Sequence, residues 1–275
     1  MIKVIATDLD GTLLFPKRKF SLVDKQNRNY IKNFYGDVVL VSGRNPKFCA
    51  KVCNKLKIYH NFIALNGSII VKNGNIIYRQ SMKKTVLSSL IDFLDSYYDN
   101  YEALIFDKYD NIISYSPINP KELKRSHRRH LNKNGRLHDK IIVNMKKAKQ
   151  LLSDSTDIHK VIVYSKECDD MALLLKEKFG DHFAFFSDNH SIEICPIGVS
   201  KGAALKYLIN TTKVKENEVY VVGDSINDIP MFDIFENSFV MSKAPDFIKI
   251  HAKNSIEKFT DLEKYTKMND NFLGE

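Results

Sequence analysis

The sequence contains no tryptophan, only four cysteines and no long apolar run. Its apolar stretches, such as residues 38–41, are far shorter than the ~20 residues of a membrane-spanning helix. Lys3, Asp8 and Asp10 interrupt the N-terminal segment before an apolar stretch forms, so we expect no signal peptide and a cytoplasmic location. The cysteines are scattered without a CxxC pair, which argues against a disulfide framework or a zinc site and predicts buried, inert thiols: Cys49, Cys53, Cys168 and Cys195.

Acidic residues are outnumbered by basic ones. The chain has 42 Lys and Arg against 33 Asp and Glu, a net charge of +9, which favours anionic partners. Much of the excess lies in residues 121–140, for which a solvated basic helix face is the first interpretation and phosphate recognition at a pocket mouth the second. Nucleic acid ranks third, because this segment lacks stacking aromatics and a recognised nucleic-acid motif. We expect no membrane partner.

The order of predicted elements changes twice along the chain. Strands and helices alternate in residues 1–81 and 196–275, whereas residues 82–195 predict two-strand runs between helices. We therefore predict an α/β protein: a Rossmann-like, doubly wound parallel sheet with an inserted α+β domain. Within the first segment, Ser21 is the predicted N-cap of a helix from Leu22. Residues 239–241 are the last predicted strand.

Polar residues follow four of the apolar runs that predict strands. Because the carboxyl ends of parallel strands meet at one edge of a sheet, these residues are expected to share one crevice. They are Asp8 and Asp10 in TDLDGT, the run Ser42-Gly43-Arg44, the pair Asn66-Gly67, and Asp224 and Asp228 in GDSIND.

Converging carboxylates require a cation, since buried anions repel one another and resist ionisation. Oxygen ligands without cysteine or histidine are the set that Mg²⁺ prefers. The predicted metal ligands are Asp8, Asp10, Asp224 and Asp228.

Phosphoryl chemistry is the reaction that these residue types support. Lys201 and Ser42 are suited to hold phosphoryl oxygens, one as a point charge and one as a neutral donor. A carboxylate kept ionised by Mg²⁺ and lysine can attack phosphorus. A second carboxylate two residues further along an extended strand lies on the same side and can transfer protons.

These motifs resemble those of the haloacid dehalogenase (HAD) superfamily of phosphotransferases. DLDGT at 8–12, Ser42, Lys201 and GDSIND at 223–228 occur in the family's order. The insert between the second and third motifs is similar in element order to the C2B cap, so the chain most resembles the Cof-type phosphatases. The resemblance implies a HAD-like catalytic core formed by residues 1–81 and 196–275, with residues 82–195 as a substrate-selecting cap.

The resemblance also implies a role for each matching residue. Asp8 would be the nucleophile that becomes phosphorylated, and Asp10 the general acid and base with its backbone carbonyl on Mg²⁺. Asp224 would bind the metal, and Asp228 would support the metal shell or Lys201. The remaining implied roles are phosphoryl binding by Ser42, Lys201 and the backbone N–H groups of Leu9 and Gly43, contact of Asn227 with the phosphoryl group or Ser42, and support of the first loop by Thr12. Arg44 would bind substrate or pair with a carboxylate.

The expected activity is Mg²⁺-dependent hydrolysis of a small phosphomonoester, such as a sugar phosphate or similar metabolite, through an aspartyl phosphate. A phosphomutase of the phosphomannomutase type is the first alternative, in which cap arginines would hold a second phosphate. A basic adaptor or nucleic-acid-binding protein with a vestigial site is the second. The cap arginines that would hold the second phosphate in a phosphomutase are Arg125, Arg128, Arg129 and Arg136. The sequence leaves the substrate and the oligomeric state open.

Overall fold

The structure is a computed structural model that describes residues 2–14, 23–98, 101–107, 112–115, 141–142, 157–188 and 190–271. The chain divides into two compact units. The first unit comprises Met1–Arg79 and Ser200–Glu275, and the second comprises Gln80–Val199. Among the described residues, no helix is both long enough and apolar enough to cross a membrane.

Fourteen strands lie within the described residues. They are β1 Val4–Thr7, β2 Asp37–Val41, β3 Phe62–Ala64, β4 Ile69–Lys72, β5 Asn75–Arg79, β6 Tyr101–Asp107, β7 Ile112–Tyr115, β8 Ile141–Ile142, β9 Ile158–Ser165, β10 Phe183–Ser187, β11 Ser191–Pro196, β12 Val219–Gly223, β13 Ser238–Met241 and β14 Asn254–Ile256.

Eight α-helices lie in the same described part of the chain. They are α1 Lys25–Asn33, α2 Pro46–Leu56, α3 Lys84–Tyr97, α4 Cys168–Phe179, α5 Lys201–Asn210, α6 Ile229–Ile234, α7 Asp246–Lys249 and α8 Leu262–Asn271. Short 3₁₀ turns occupy Leu65–Gly67, Glu216–Glu218, Ile226–Asp228 and Phe259–Asp261.

The first unit contains an eight-stranded sheet in the order β14-β13-β12-β1-β2-β3-β4-β5. The strands from β14 to β3 are parallel, and β4 and β5 form an antiparallel hairpin at one edge. On the central strand β1, Ile5 pairs with Tyr220 on one side and Val38 on the other. This sheet, together with the separate sheet of the second unit, confirms the predicted fold class.

The strands of this sheet are apolar on both faces because both faces are covered. Val4 and Ala6 belong to a buried cluster with Leu205 and Leu208 of α5. Ile5 points to the opposite face, as strand alternation requires, and is fully buried there as well. The segments that follow these strands therefore extend from a sheet that is packed on both faces.

Two local predictions were wrong. Helix α1 begins at Lys25, where the Asp24 carboxylate caps it by accepting from the Asn27 N–H, whereas Ser21 lies outside the described residues. The sheet also does not end at β13: residues 254–256 form the edge strand β14. β14 has only three residues, too few for a distinctive apolar pattern.

The second unit contains a six-stranded sheet in the order β10-β11-β9-β6-β7-β8. Its strand pairs are antiparallel except for β7 with β8. Leu90 and Leu94 of α3 and Met171 and Leu175 of α4 belong to one buried cluster with strand side chains. The predicted basic segment 121–140 lies outside the described residues.

Candidate active site

A buried lysine joins two buried carboxylates at the carboxyl edge of the parallel sheet. Asp8 follows β1, and Lys201 is the first residue of α5, whose N-cap Ser200 accepts from the Ala203 N–H. Lys201 Nζ lies 2.6 Å from Asp8 Oδ1 and 2.7 Å from Asp228 Oδ1. Only 1% of the Lys201 side chain is exposed, so the ammonium interacts with these carboxylates under weak solvent screening.

The second oxygen of Asp228 is fixed by the backbone. Its Oδ2 accepts from the N–H groups of Asp224 at 2.9 Å and Ser225 at 3.0 Å. A Cβ atom on Gly223 would clash with the Asp228 carboxyl group, so the chain needs glycine at this position. Both Asp228 oxygens thus have protein partners, one of them Lys201, and the predicted support of the metal shell or of Lys201 stays a prediction.

Asp224 follows β12 and faces the loop after β1. Thr12 Oγ1 donates to Asp224 Oδ1 at 3.0 Å. Gly11 has a φ of +88°, and a Cβ atom there would collide with the Asp224 carboxylate. Glycine is therefore required for both the left-handed backbone and the close approach. The Thr12 contact agrees with the predicted support of this loop.

Three of the four predicted metal-binding carboxylates come together. Asp8, Asp224 and Asp228 each offer an oxygen within 4.8 Å of the others. The ligand atoms are all oxygens, the donor type that Mg²⁺ prefers over softer nitrogen and sulfur ligands. The residues present therefore fit a magnesium ion held by few carboxylates.

Burial makes two of these carboxylates, Asp8 and Asp224, difficult to ionise. It raises the pKa of Asp8 well above its usual value, with Lys201 opposing the shift and Asp228 adding to it. Burial, reinforced by Asp228, raises the pKa of Asp224 to about 7. Burial alone would lower the pKa of Lys201, but Asp228 and Asp8 outweigh it and raise that pKa. The cluster therefore carries repulsion between anions that a divalent cation would relieve.

The Asp10 side chain does not belong to this group of three carboxylates and pairs with Arg44 instead. Arg44 donates to its two oxygens, from Nε at 2.6 Å and from Nη2 at 2.9 Å, in a bidentate pair. The Arg44 guanidinium also lies 5.1 Å from the centre of the Phe48 ring. About half of the Asp10 side chain is exposed. Of the two sequence interpretations of Arg44, the structure thus shows pairing with a carboxylate.

The loops after β2 and β3 bring the other predicted residues to this edge. Ser42 is buried, and its Oγ accepts from the Arg44 N–H at 3.2 Å. The Asn66 N–H donates to the Ser42 carbonyl at 3.1 Å. Asn227 Nδ2 donates to Asn66 Oδ1 at 3.2 Å, so Asn227 lies against the turn after β3. Gly43 lies between Ser42 and Arg44 in the same loop.

Leu9 lies between Asp8 and Asp10, with its side chain fully buried. Its carbonyl accepts from the N–H groups of Leu13 and Leu14, which closes the loop on itself. The predicted donation of the Leu9 and Gly43 N–H groups to a phosphoryl group stays a prediction.

One contact in this region was absent from the sequence interpretation. Asn66, which the sequence places among the residues of the shared crevice, lies in the turn after β3 with a φ of 58°. Its amide additionally links the turn to Asn227, a residue in the GDSIND motif. Two asparagines 161 positions apart carry no spacing signal, so their contact was not predictable without the fold.

Residues 5–262 match the family model of the haloacid dehalogenase-like hydrolases. The chain belongs to this family. The match spans both parts of the first unit and the whole second unit, so the family assignment covers the complete arrangement. The chain is a phosphatase enzyme of this family, which confirms the predicted superfamily and enzyme class.

Similar proteins agree with this family assignment. The chain is 28% identical over 269 residues to 5-amino-6-(5-phospho-D-ribitylamino)uracil phosphatase YwtE of Bacillus subtilis (strain 168), covering 90% of each chain. A crystal structure from Streptococcus mutans UA159 has a TM-score of 0.78 at 20% identity and covers 100% of both chains. One from Thermotoga maritima has a TM-score of 0.72 at 24% identity, covering 93% of this chain and 92% of that one. The two structures show the shared fold.

Proposed function

We propose that this HAD-like hydrolase is a Mg²⁺-dependent phosphatase that cleaves a small phosphomonoester through an aspartyl phosphate on Asp8. The observation that carries the proposal is the buried Lys201 between Asp8 and Asp228, next to Asp224. Lys201 fixes the orientation of the Asp8 carboxylate and offsets its negative charge. Asp8 is thereby prepared as an oxygen nucleophile.

The reaction proceeds in two balanced steps. In the first, an Asp8 oxygen forms a bond to phosphorus as the bond to the substrate's ester oxygen breaks, and Asp10 gives that oxygen a proton. In the second, Asp10 takes a proton from water as the water oxygen attacks the phosphoryl group and releases Asp8. Mg²⁺ bound at Asp8 and Asp224 would supply charge neutralisation for the phosphoryl oxygens.

Asp10 has to change partners during this cycle. Both Asp10 oxygens accept from Arg44 in the bidentate pair, whereas the first step needs an Asp10 oxygen to contact the ester oxygen of the substrate. Proton donation therefore requires at least one Asp10 oxygen to leave Arg44. Arg44 is then available for an anionic group of the substrate.

Substitution of the nucleophile tests this assignment. Asp8→Asn is expected to lower kcat for p-nitrophenyl phosphate by about a thousandfold or more. The exposed Asp37→Asn is the matched control and should retain activity. With wild-type protein, activity should depend on added Mg²⁺ and disappear with a chelator. Substantial activity in Asp8→Asn would reject Asp8 as the nucleophile.

The covalent intermediate has its own test. Asp10→Asn should retain phosphoryl transfer from p-nitrophenyl phosphate, whose leaving group needs little protonation, and should lose hydrolysis of the intermediate. Intact-mass measurement after rapid quenching should show a phosphorylated chain that is absent from Asp8→Asn. If neither the wild-type protein nor Asp10→Asn shows a phosphorylated species, the two-step mechanism is contradicted.

The substrate is proposed to be a small phosphorylated metabolite, selected by the second unit acting as a cap. The similarity to a phosphatase of a phosphorylated ribitylamino compound supports a polyhydroxylated phosphomonoester. Initial rates across sugar phosphates, sugar-alcohol phosphates and that compound should reveal a preferred member. No described observation favours the mutase, since its four arginines lie outside the described residues. The cytoplasmic location stays a prediction.

A further inference from the structure

A basic groove lies in the first unit, at the end of β2 opposite to the candidate active site. Its volume is about 850 Å³, within the usual range for small-molecule sites. It is formed by the second half of α1, the start of β2 and the end of α2. The lining residues are Arg28, Asn29, Ile31, Lys32, Phe34, Gly36, Asp37, Val38, Lys55, Leu56, Lys57, Ile58 and Tyr59.

Basic side chains predominate among the charged residues that line the groove. Arg28, Lys32, Lys55 and Lys57 line it, against the single acidic residue Asp37. The C-terminal ends of α1 and α2 also meet here, each equivalent to about half a negative charge. Arg28, Lys32 and Lys57 alone outweigh Asp37 and the two helix ends by about one positive charge. This excess of positive charge favours an anionic ligand.

Lys57 occupies a backbone conformation that favours glycine. It follows the last residue of α2 with φ +59° and ψ +41°, in the left-handed region. The Ile58 N–H donates to the Cys53 carbonyl at 3.2 Å, which completes a Schellman-type helix end. Glycine would adopt this conformation without the steric cost of a Cβ atom. The lysine thus adds a cation to the groove where the fold alone favours glycine.

An exposed aromatic side chain lies beside these cations. Tyr59 lines the groove with 74% of its surface exposed. Apolar groups of Ile31, Phe34 and Leu56 contribute to the same lining. A flat ring can stack on an exposed tyrosine, and apolar lining favours an organic ligand over a bare inorganic anion.

We propose that this groove is a second ligand site, which binds a nucleoside diphosphate with its phosphates on Lys32 and Lys57 and its base on Tyr59. The site is separate from the phosphatase chemistry. Asp37 begins β2 and Ser42 follows it, so about 16 Å of strand separates the two ends. Binding therefore does not depend on the proposed reaction.

Calorimetric titration of the full chain tests the proposal. The probe is α,β-methylene-ADP, in which a P–C bond replaces the hydrolysable bridge, and the buffer contains a chelator and low salt. Inorganic pyrophosphate is the comparison ligand. Wild-type protein should bind the nucleotide about tenfold more tightly than pyrophosphate. Equal affinity for both would overturn the assignment to a nucleoside.

Groove variants locate the binding. Lys57→Gly and Lys32→Ala should each weaken nucleotide binding by about tenfold, whereas Lys25→Ala on α1 and Lys51→Ala on α2, outside the lining, should change it by less than about twofold. Tyr59→Ala should weaken binding of the nucleotide but not of pyrophosphate. Unchanged affinity in the groove variants, equal losses in the controls or no binding to wild type would reject the site.

Lys57→Gly also separates binding from folding. Because glycine is favoured at a left-handed helix end, this variant should have an unfolding temperature equal to or above that of wild type. Its phosphatase activity should be unchanged. Loss of nucleotide affinity together with retained stability would support a binding role for Lys57, and retained affinity would reject it.

Discussion

At the scale of single residues, the site is organised by one buried ammonium. Lys201 contacts Asp8 and Asp228, and the backbone N–H groups that hold Asp228 belong to the segment containing Asp224. Each buried charge is therefore paired or hydrogen-bonded, as burial requires. Loss of the Lys201 ammonium should therefore lower the stability of the fold as well as the rate of the reaction.

Removal of the lysine charge should destabilise the fold. Lys201→Met leaves Asp8 and Asp228 buried without their cation, and breaking a buried pair in this way costs about 3–5 kcal/mol. Lys206→Met on the same helix removes an exposed lysine paired with Glu216 and should cost less than about 1 kcal/mol. Urea unfolding with a chelator measures both. Equal losses in the two variants would show that Lys201 does not hold the cluster together.

The carboxylates predict how stability depends on pH. The folded-state pKa of Asp224 is about 7 and its usual value is 3.8, so between these pH values the folded chain holds protons that the unfolded chain has released. Asp8 is shifted in the same direction. Stability without metal should therefore fall as pH rises across this range. Unfolding temperatures from about pH 5 to pH 8 with a chelator measure this effect.

Magnesium should reverse part of that loss. The ion binds ionised carboxylates and competes with their protons, so its stabilising effect should grow with pH. The rise in unfolding temperature on adding Mg²⁺ should be larger at about pH 8 than at about pH 5.5. Asp224→Asn should abolish most of the rise. A rise independent of pH would contradict metal binding at these carboxylates.

At the scale of elements, the helix that carries Lys201 needs a close neighbour. Gly202 lies on α5 where a Cβ atom would collide with the Pro230 carbonyl of α6. Glycine inside an exposed helix is usually improved by alanine. Here alanine should lower the stability instead, because the two helices would have to separate.

Gly202→Ala should therefore destabilise the chain by about 1–3 kcal/mol, as overpacking does. It should also lower kcat, since Lys201 is the adjacent residue. Urea unfolding and steady-state rates measure the two effects. A more stable Gly202→Ala protein would show that α5 and α6 are not in close contact in solution.

Sequence reasoning reached most of these elements through local signals. Asn45-Pro46 is a pair typical of a helix start, and the structure shows the Asn45 side chain accepting from the Phe48 N–H at the start of α2. Ser21 was wrong as a cap because several polar residues near a helix start satisfy the same rule, and Asp24 is the one that caps α1. Strand β14 was missed because edge strands this short depend on their neighbour.

The site divides in the same way. The spacing of DLDGT and GDSIND predicted which acids follow strands, and Asp8, Asp224 and Asp228 do lie together. The sequence leaves the partner of Arg44 open between substrate and a carboxylate, since the reach of Arg44 depends on the loop after β2. The basic groove at the start of β2 corresponds to no sequence motif, because its cations come mainly from two helices that meet only after folding.

At the scale of the whole molecule, two hydrophobic clusters support two units. One contains sheet residues of the first unit, and the other contains α3, α4 and the second sheet. Truncation of a side chain in one cluster should therefore lower stability mainly within its own unit, because distant independent sites contribute additively.

Leu175→Ala tests this independence. Leu175 is fully buried in the cluster of the second unit, and its truncation should cost about 2–5 kcal/mol. Hydrogen exchange should show faster exchange in β6, β9 and α4, with little change in β1 and β12. The affinity for Mg²⁺ should stay within about twofold. Faster exchange throughout both sheets would show that the units unfold together.

The pairing of β1 with β12 has a consequence for synthesis of this protein. Ile5 finds its partner Tyr220 only after roughly 200 further residues have been added, which takes about 10 to 40 s at usual translation rates. The second unit is contiguous and is complete on the ribosome before that point. Strands β6 and β9 can therefore pair before the chain has folded far enough for Lys201 to contact Asp8.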